Sequence, residues 1–221
     1  MGKMIDFSCP NTSTASGYYA QSSATAGIVL LQEWWGLNEQ MKQVAQRVAS
    51  AGFNALVPDL YQGRVTQDPD EAGHMMEGLD WVGATAQEVR GAAQHLKQSG
   101  GKVAVMGYCM GGALSIIAGV ALEEVDAIVC YYGIPPTEQA DPAQLRVPMQ
   151  AHFANSDDWC TPQAVNDMEA TVKAAGRDYE LYRYDAQHGF FNAGEPKVYD
   201  EATAELSWQR ALEFLNTQLR T

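Results

Sequence analysis

The chain is short of basic residues, long apolar runs and repeated units, and each shortage removes a class of function. Lys and Arg number 14 against 27 Asp and Glu, for a formal charge of −13. Such a field repels phosphate backbones and anionic headgroups, so nucleic acid and membrane surfaces are not expected as partners. No stretch approaches the roughly 20 apolar residues that a bilayer-spanning helix needs. Met1 to Pro10 lack the basic-then-apolar run of a secretory signal, and Asp6 stands where a myristoylation motif requires Ser or Thr. The four cysteines, Cys9, Cys109, Cys130 and Cys160, form no CxxC pair. That argues against a disulfide framework and a dithiol redox mechanism, and it predicts reduced thiols in the cytoplasm. His74, His95, His152 and His188 are scattered without HExxH or paired spacing, so no metal is expected. His95, on a predicted helix, and His152, in a predicted strand, read as structural.

What remains is a globular composition, 46% hydrophobic and 19% charged over 221 residues. That suits one domain over residues 1–221, large enough to bury a core without staples. Short β-rich runs alternate with helical ones. Gly27 to Gln32 reads as a buried strand, and Glu39 to Ser50 as a helix carrying Met41, Val44, Ala45 and Val48 at helical spacing. Gly52 stops that helix before a strand from Asn54 to Val57. Segment 68–98 is helical but interrupted by Gly73, Gly78 and Gly83, which predicts two or three pieces. Further strands are expected over 102–106, 126–132, 147–153 and 179–184, with helices over 110–122, 162–175 and 202–219. This βαβα order predicts an α/β fold: a mostly parallel sheet covered on both faces, with its active site at the strands' carboxyl ends.

One segment there carries chemistry. Gly107-Tyr-Cys109-Met-Gly111-Gly112 follows the 102–106 strand and opens a helix, the context of a G-x-S-x-G nucleophile elbow with Cys in place of Ser. A tight strand-to-helix turn leaves no room for Cβ atoms two residues either side of the nucleophile. The helix dipole there favours a thiolate. No Lys-Ser or Lys-Thr follows and no GxGxxG precedes the turn, so a phosphate-binding loop and a nucleotide cofactor are disfavoured; no cofactor is expected. Downstream come a carboxylate and a histidine, in the order nucleophile, acid, base. Asp157 and Asp158 both stand at a predicted strand end, and the one that is not the acid is free to cap the next helix. His188 lies on the loop after the last strand.

These residues resemble the dienelactone hydrolase family of α/β-hydrolases. The likeness runs through Gln32-Glu33-Trp-Trp-Gly36-Leu-Asn38, Pro58-Asp-Leu-Tyr61, the cysteine elbow, Tyr131-Tyr-Gly133, Asp158 four before Pro162, and Tyr184-x3-His188-x-Phe190. It implies a compact α/β-hydrolase fold without a large lid. The implied activity is carboxylic-ester or lactone hydrolysis through a Cys109–His188–Asp158 triad and a thioester. The family's spacing from acid to proline selects Asp158 over Asp157. By the same resemblance Glu33 regulates ionisation of the thiol, the amides of Trp34 and Met110 form the oxyanion hole, and Tyr132 is a pocket wall. The family grips its substrate's carboxylate with two arginines. Here Asn192 holds one of those places, and the other region offers Asp70, Glu71 and His74. Trp35 and Asn192 are therefore expected to contact a small neutral ester or lactone, with Trp34, Trp81 and Trp159 available either to line an apolar pocket or to pack the core. The competing reading is a hydrolase-fold module that binds a ligand without turning it over.

Overall fold

The computed structural model describes residues 2–220. Its elements are β1 (Lys3–Ser8), β2 (Thr14–Ala20), β3 (Gly27–Leu31), α1 (Glu39–Ser50), β4 (Asn54–Pro58), α2 (Pro69–Glu77), α3 (Trp81–Ala84), a π-helical turn (Thr85–Val89), α4 (Arg90–Lys97), β5 (Val103–Tyr108), α5 (Met110–Ala121), β6 (Ala127–Tyr131), β7 (Met149–Ser156), α6 (Pro162–Ala174), β8 (Tyr179–Gln187) and α7 (Glu201–Leu219). The strands form one sheet in the order β1-β2-β4-β3-β5-β6-β7-β8. Pairing is parallel from β4 across to β8, while β2 runs antiparallel to both β1 and β4. This is the α/β-hydrolase fold. The link from β6 to β7 contains only a short 3₁₀ turn (Pro142–Gln144), so no lid domain is inserted there.

The sequence explains the layering. Every residue of β3, β4, β5 and β6 is buried, because helices cover both faces and leave no solvent side to alternate with. Along β5, Val103 and Val105 join a core with α4, α5 and α6, whereas Ala104 and Met106 join a core with α1 and α7. α5 is buried over Met110 to Gly119 and sits directly behind the sheet's centre. The β1–β2 hairpin is an addition to the sequence reading, which assigns no element before Gly27. Its strands mix polar and apolar residues without a continuous apolar run, and β1 buries only Phe7. Among the described residues no helix is long and apolar enough to cross a membrane.

His152 shows how a polar side chain is accommodated in this interior. Its ring stacks on Tyr131 and Tyr182, with centroids 4.5 and 5.6 Å away. Nε2 lies 2.9 Å from Gln150 Oε1 and Nδ1 lies 2.8 Å from the Tyr184 hydroxyl. Gln150 turns its Nε2 to Glu180, so its Oε1 accepts from His152 Nε2–H, and the tyrosine hydroxyl donates to Nδ1. The ring is thus held neutral. Burial, helped by the charge of Arg210, pushes its pKa down to about 3 from 6.5. The unfolded chain takes up this proton near pH 6.5 and the folded chain only near 3. His152 therefore supports folding fully above pH 6.5, and the support fades as pH falls, at up to about 1.4 kcal/mol per unit. We expect His152→Phe to lower stability at pH 7, because Tyr184 and Gln150 lose a partner. The same variant should lose less stability than the wild type between pH 6.5 and about 4. Urea midpoints measured across that range check this; parallel curves for the two proteins would contradict it.

Candidate active site

The carboxyl ends of the central strands converge on Cys109. It lies between the last residue of β5 and the first of α5, with φ 55° and ψ −117°, a left-handed backbone rarely adopted by a residue with a side chain. The turn is that tight because its glycines let it be. A methyl group on Gly107 would overlap the Gly111 carbonyl, and one on Gly111 would overlap the carbonyl of Leu31 on the neighbouring strand. The Cys109 N–H is tied to the Tyr131 carbonyl at 3.0 Å and its carbonyl accepts from Ala113 at 3.1 Å. Strain at the Cys109 backbone is thus held by strands on one side and α5 on the other.

A hydrogen-bond chain runs away from the sulfur. Cys109 Sγ is 3.2 Å from His188 Nε2, and His188 Nδ1 is 2.8 Å from Asp157 Oδ2. His188 follows β8 directly, and Asp157 follows β7 directly. The acid beside the imidazole is therefore Asp157, which corrects the assignment to Asp158 made from the spacing to Pro162. The Asp157 side chain is wholly enclosed, and its second oxygen accepts from the N–H groups of Trp159 and Cys160, both at 2.8 Å. Asp158 points the other way, is exposed, and lines the cavity above. It does not cap the following helix either, since Thr161 takes that place by accepting from Ala164.

The electrostatics match this connectivity. Burial disfavours a charged His188, but hydrogen bonds to Asp157 and Cys109 outweigh it and lift the imidazole to about 10. Burial likewise works against the Asp157 carboxylate, and its bond to His188, the charge of that ring and the N–H groups of Cys160 and Trp159 together more than compensate, holding it below its usual range. Burial raises the other thiols, Cys130 to about 12 and Cys160 further still, and raises Cys9 to a lesser degree. Cys109 is the cysteine that has an imidazole beside it and partial access to solvent.

Around the sulfur lies a cavity of about 310 Å³, at the lower end of the range for small-molecule sites. Of the residues expected to contact substrate, Trp35 and Asn192 line it, and Tyr132 does not. Tyr132 is buried beneath the site, where its hydroxyl donates to Glu33 Oε1 at 3.0 Å. The second Glu33 oxygen accepts from the Asn192 amide, whose own oxygen accepts from Gly194 N–H at 2.9 Å. Glu33 is buried, and burial raises its pKa against the opposing effect of the Tyr132 bond and of His188's charge. Both its oxygens are thus occupied by Tyr132 and Asn192, and the hydrogen-bond partner of the thiol is His188. Of Trp34 and Met110, whose amides are expected to hold an oxyanion, Trp34 lies in the cavity wall after β3, and Met110 follows Cys109 at the first position of α5, where a helix leaves its N–H free. Trp159 lines the cavity. Trp81 does not, and instead donates its indole N–H to the Met76 carbonyl at 3.2 Å. Met76, Val198 and Glu195 also line the cavity, and no sequence signal marks them.

The model of the dienelactone hydrolase family matches residues 15–219. The chain belongs to the dienelactone hydrolase family. Among its relatives, the carboxymethylenebutenolidase of a Pseudomonas species is 33% identical over 206 residues, covering 85% of this chain and 83% of that protein. Protein usf of Aquifex pyrophilus is 31% identical over 234 residues, covering 99% of this chain and all of that protein. Among solved structures, a dienelactone hydrolase-like promiscuous phosphotriesterase from metagenomic libraries superposes with a TM-score of 0.80 at 21% identity, over 99% of this chain and 98% of that one. An esterase of Pyrococcus furiosus gives 0.71 at 15% identity, over 99% and 93%. At those identities the structural likeness bears on the fold. This family member keeps the fold's strand-end convergence, with a cysteine at the elbow and Asp157 behind the histidine.

Proposed function

We propose that this dienelactone hydrolase family member hydrolyses a small carboxylic ester or lactone through a thioester on Cys109. The observation that carries the reading is the continuous chain from Asp157 through His188 to Cys109 Sγ at the floor of a substrate-sized cavity. With the imidazole lifted to about 10, His188 Nε2 holds the proton of the Cys109–His188 pair, and the thiolate adds to the substrate carbonyl. The resulting oxyanion lies against the amides of Trp34 and Met110, where each donor contributes on the order of 2.7–4 kcal/mol to the transition state. Collapse breaks the carbon–oxygen bond, and the imidazolium returns its proton to the departing alkoxide. Water then attacks the thioester while His188 removes its proton, and expulsion of the thiolate restores the pair. Asp157 keeps the imidazole's Nδ1 protonated and supports its cationic form throughout. The same reading keeps the protein in the cytoplasm, where its unpaired cysteines stay reduced.

The intermediate is the test. Rapid acid quench of the enzyme with p-nitrophenyl acetate should leave one acetyl group, sensitive to hydroxylamine, on the peptide that contains Cys109. Steady turnover with no acylated cysteine at any quench time would overturn the covalent route. An enzyme with neither turnover nor acylation would favour the ligand-binding module instead.

A further inference from the structure

The cavity wall and its charges say more about the substrate than the triad does. Trp34 packs edge-on against Trp35 and Trp159, with ring centroids 5.0 and 5.6 Å apart, and Trp159 lies 6.4 Å from the His188 ring. Trp159 is 63% exposed, so an indole stands open to solvent at the mouth of a catalytic-type cavity. Burying an aromatic face that water now covers is favourable for a flat apolar or cationic group. The ionisable lining residues are Glu33, Asp158 and Glu195 besides Cys109 and His188; among the described residues no Lys or Arg lines the cavity. Neither Asp158 nor Glu195 has a cation paired to it among the described residues, so their fields are not cancelled locally. A carboxylate-bearing substrate would enter this space unpaired and against like charge.

We propose that the site selects by charge and flatness, resting on the hydrolase reading above: it takes esters whose acyl group carries an aromatic ring or an ammonium seated on Trp159 and Trp34, and it rejects acyl groups that carry a carboxylate. Like charge against two lining carboxylates disfavours an anionic acyl group by on the order of tenfold or more in kcat/KM. Ring contact with the indoles favours an aryl over an alkyl acyl group by about threefold to tenfold.

A matched set of p-nitrophenyl esters tests this in the full-length enzyme: pentanoate as the neutral reference, 4-aminobutanoate as the cation, hydrogen succinate as the anion and phenylacetate as the aryl case. The anion should fall at least about tenfold below pentanoate, while the cation and the aryl ester match or exceed it. The double substitution Asp158→Asn with Glu195→Gln should bring the anion to within about threefold of pentanoate, although it changes the chain's net charge little. Trp159→Ala should erase the advantage of phenylacetate. Equal rates for the three charges would overturn the proposal, and so would discrimination that survives the double substitution, because it would then come from the overall field of the protein. Loss of turnover for every ester, with no acylation of Cys109, would instead sink the hydrolase reading on which the proposal stands.

Discussion

Cys109→Ala is expected to lower kcat/KM for p-nitrophenyl acetate by about 10⁴-fold or more, because it removes the atom that bonds to substrate and leaves no substitute. The other thiols are unavailable: Cys130 and Cys160 are buried and pushed to high pKa, and neither touches His188. Residual hydrolysis would come from the cavity's amides and imidazole acting on water. The substitution is mild for the fold. Alanine faces the same left-handed backbone that cysteine already occupies, and the elbow glycines are unchanged. It should nevertheless leave a mark on stability. The raised His188 pKa supports folding fully below pH 6.5, and that support is lost as pH rises through about 10. Without the sulfur the imidazole loses one of the bonds that lift it, so the alkaline decline in thermal midpoint, which begins near pH 6.5 in both proteins, should end at lower pH and be smaller in the variant. Activity within tenfold of wild type would show that chemistry proceeds without this cysteine.

Much of this fold and site is legible in the amino-acid sequence, and the parts that are not have local causes. The helix expected over Glu39–Ser50 forms between those residues because both signals are explicit: Asn38 accepts from Met41 N–H at its start, and Gly52 follows its end with φ 90°. The elbow is legible because steric need and sequence coincide at Gly107 and Gly111. β1 and β2 escape a reading built on hydrophobic runs, because Asp6, Ser16 and Gly17 interrupt their apolar residues. β8 runs three residues past its expected end at Tyr184, through Asp185, Ala186 and Gln187, whose composition marks no strand. The acid is hidden for a sharper reason. Neighbouring residues at a strand end point to opposite sides, and the β7–β8 pairing carries an irregularity between Ala154 and Ser156, immediately before Asp157. No extrapolated alternation could say which of two adjacent aspartates turns inward. Tyr132 departs from its expected place for a similar reason: its backbone, with φ 37°, swings the ring under the site to Glu33.

That adjacency makes the two aspartates a sharp experiment. Asp157→Asn is expected to lower kcat by about 10²–10⁴-fold, and Asp158→Asn by less than about tenfold, with its effect mainly on KM. The asymmetry follows from hydrogen-bond polarity. In Asp157→Asn the new side-chain amide would keep its oxygen on the N–H groups of Trp159 and Cys160, which leaves its NH₂ facing His188 Nδ1. An NH₂ there must donate, so Nδ1 becomes the acceptor and the ring proton moves to Nε2. The nitrogen that should take the cysteine's proton is then already protonated. Electrostatics add to the tautomer effect. The carboxylate is the first of the bonds that hold His188 near 10 against burial, and removing it lets the imidazolium lose its proton at lower pH. The alkaline limb of the kcat/KM profile in Asp157→Asn should therefore move to lower pH, whereas Asp158→Asn should leave that limb where it is. Because Asp157 also ties down the turn into α6, a folding defect has to be separated from a chemical one. Circular dichroism and the rate of Cys109 alkylation by iodoacetamide measured across pH do so: a structural defect alone would reduce soluble protein without moving the alkylation profile. Equal losses in the two variants, or a larger one for Asp158→Asn, would return the acid's role to the exposed carboxylate.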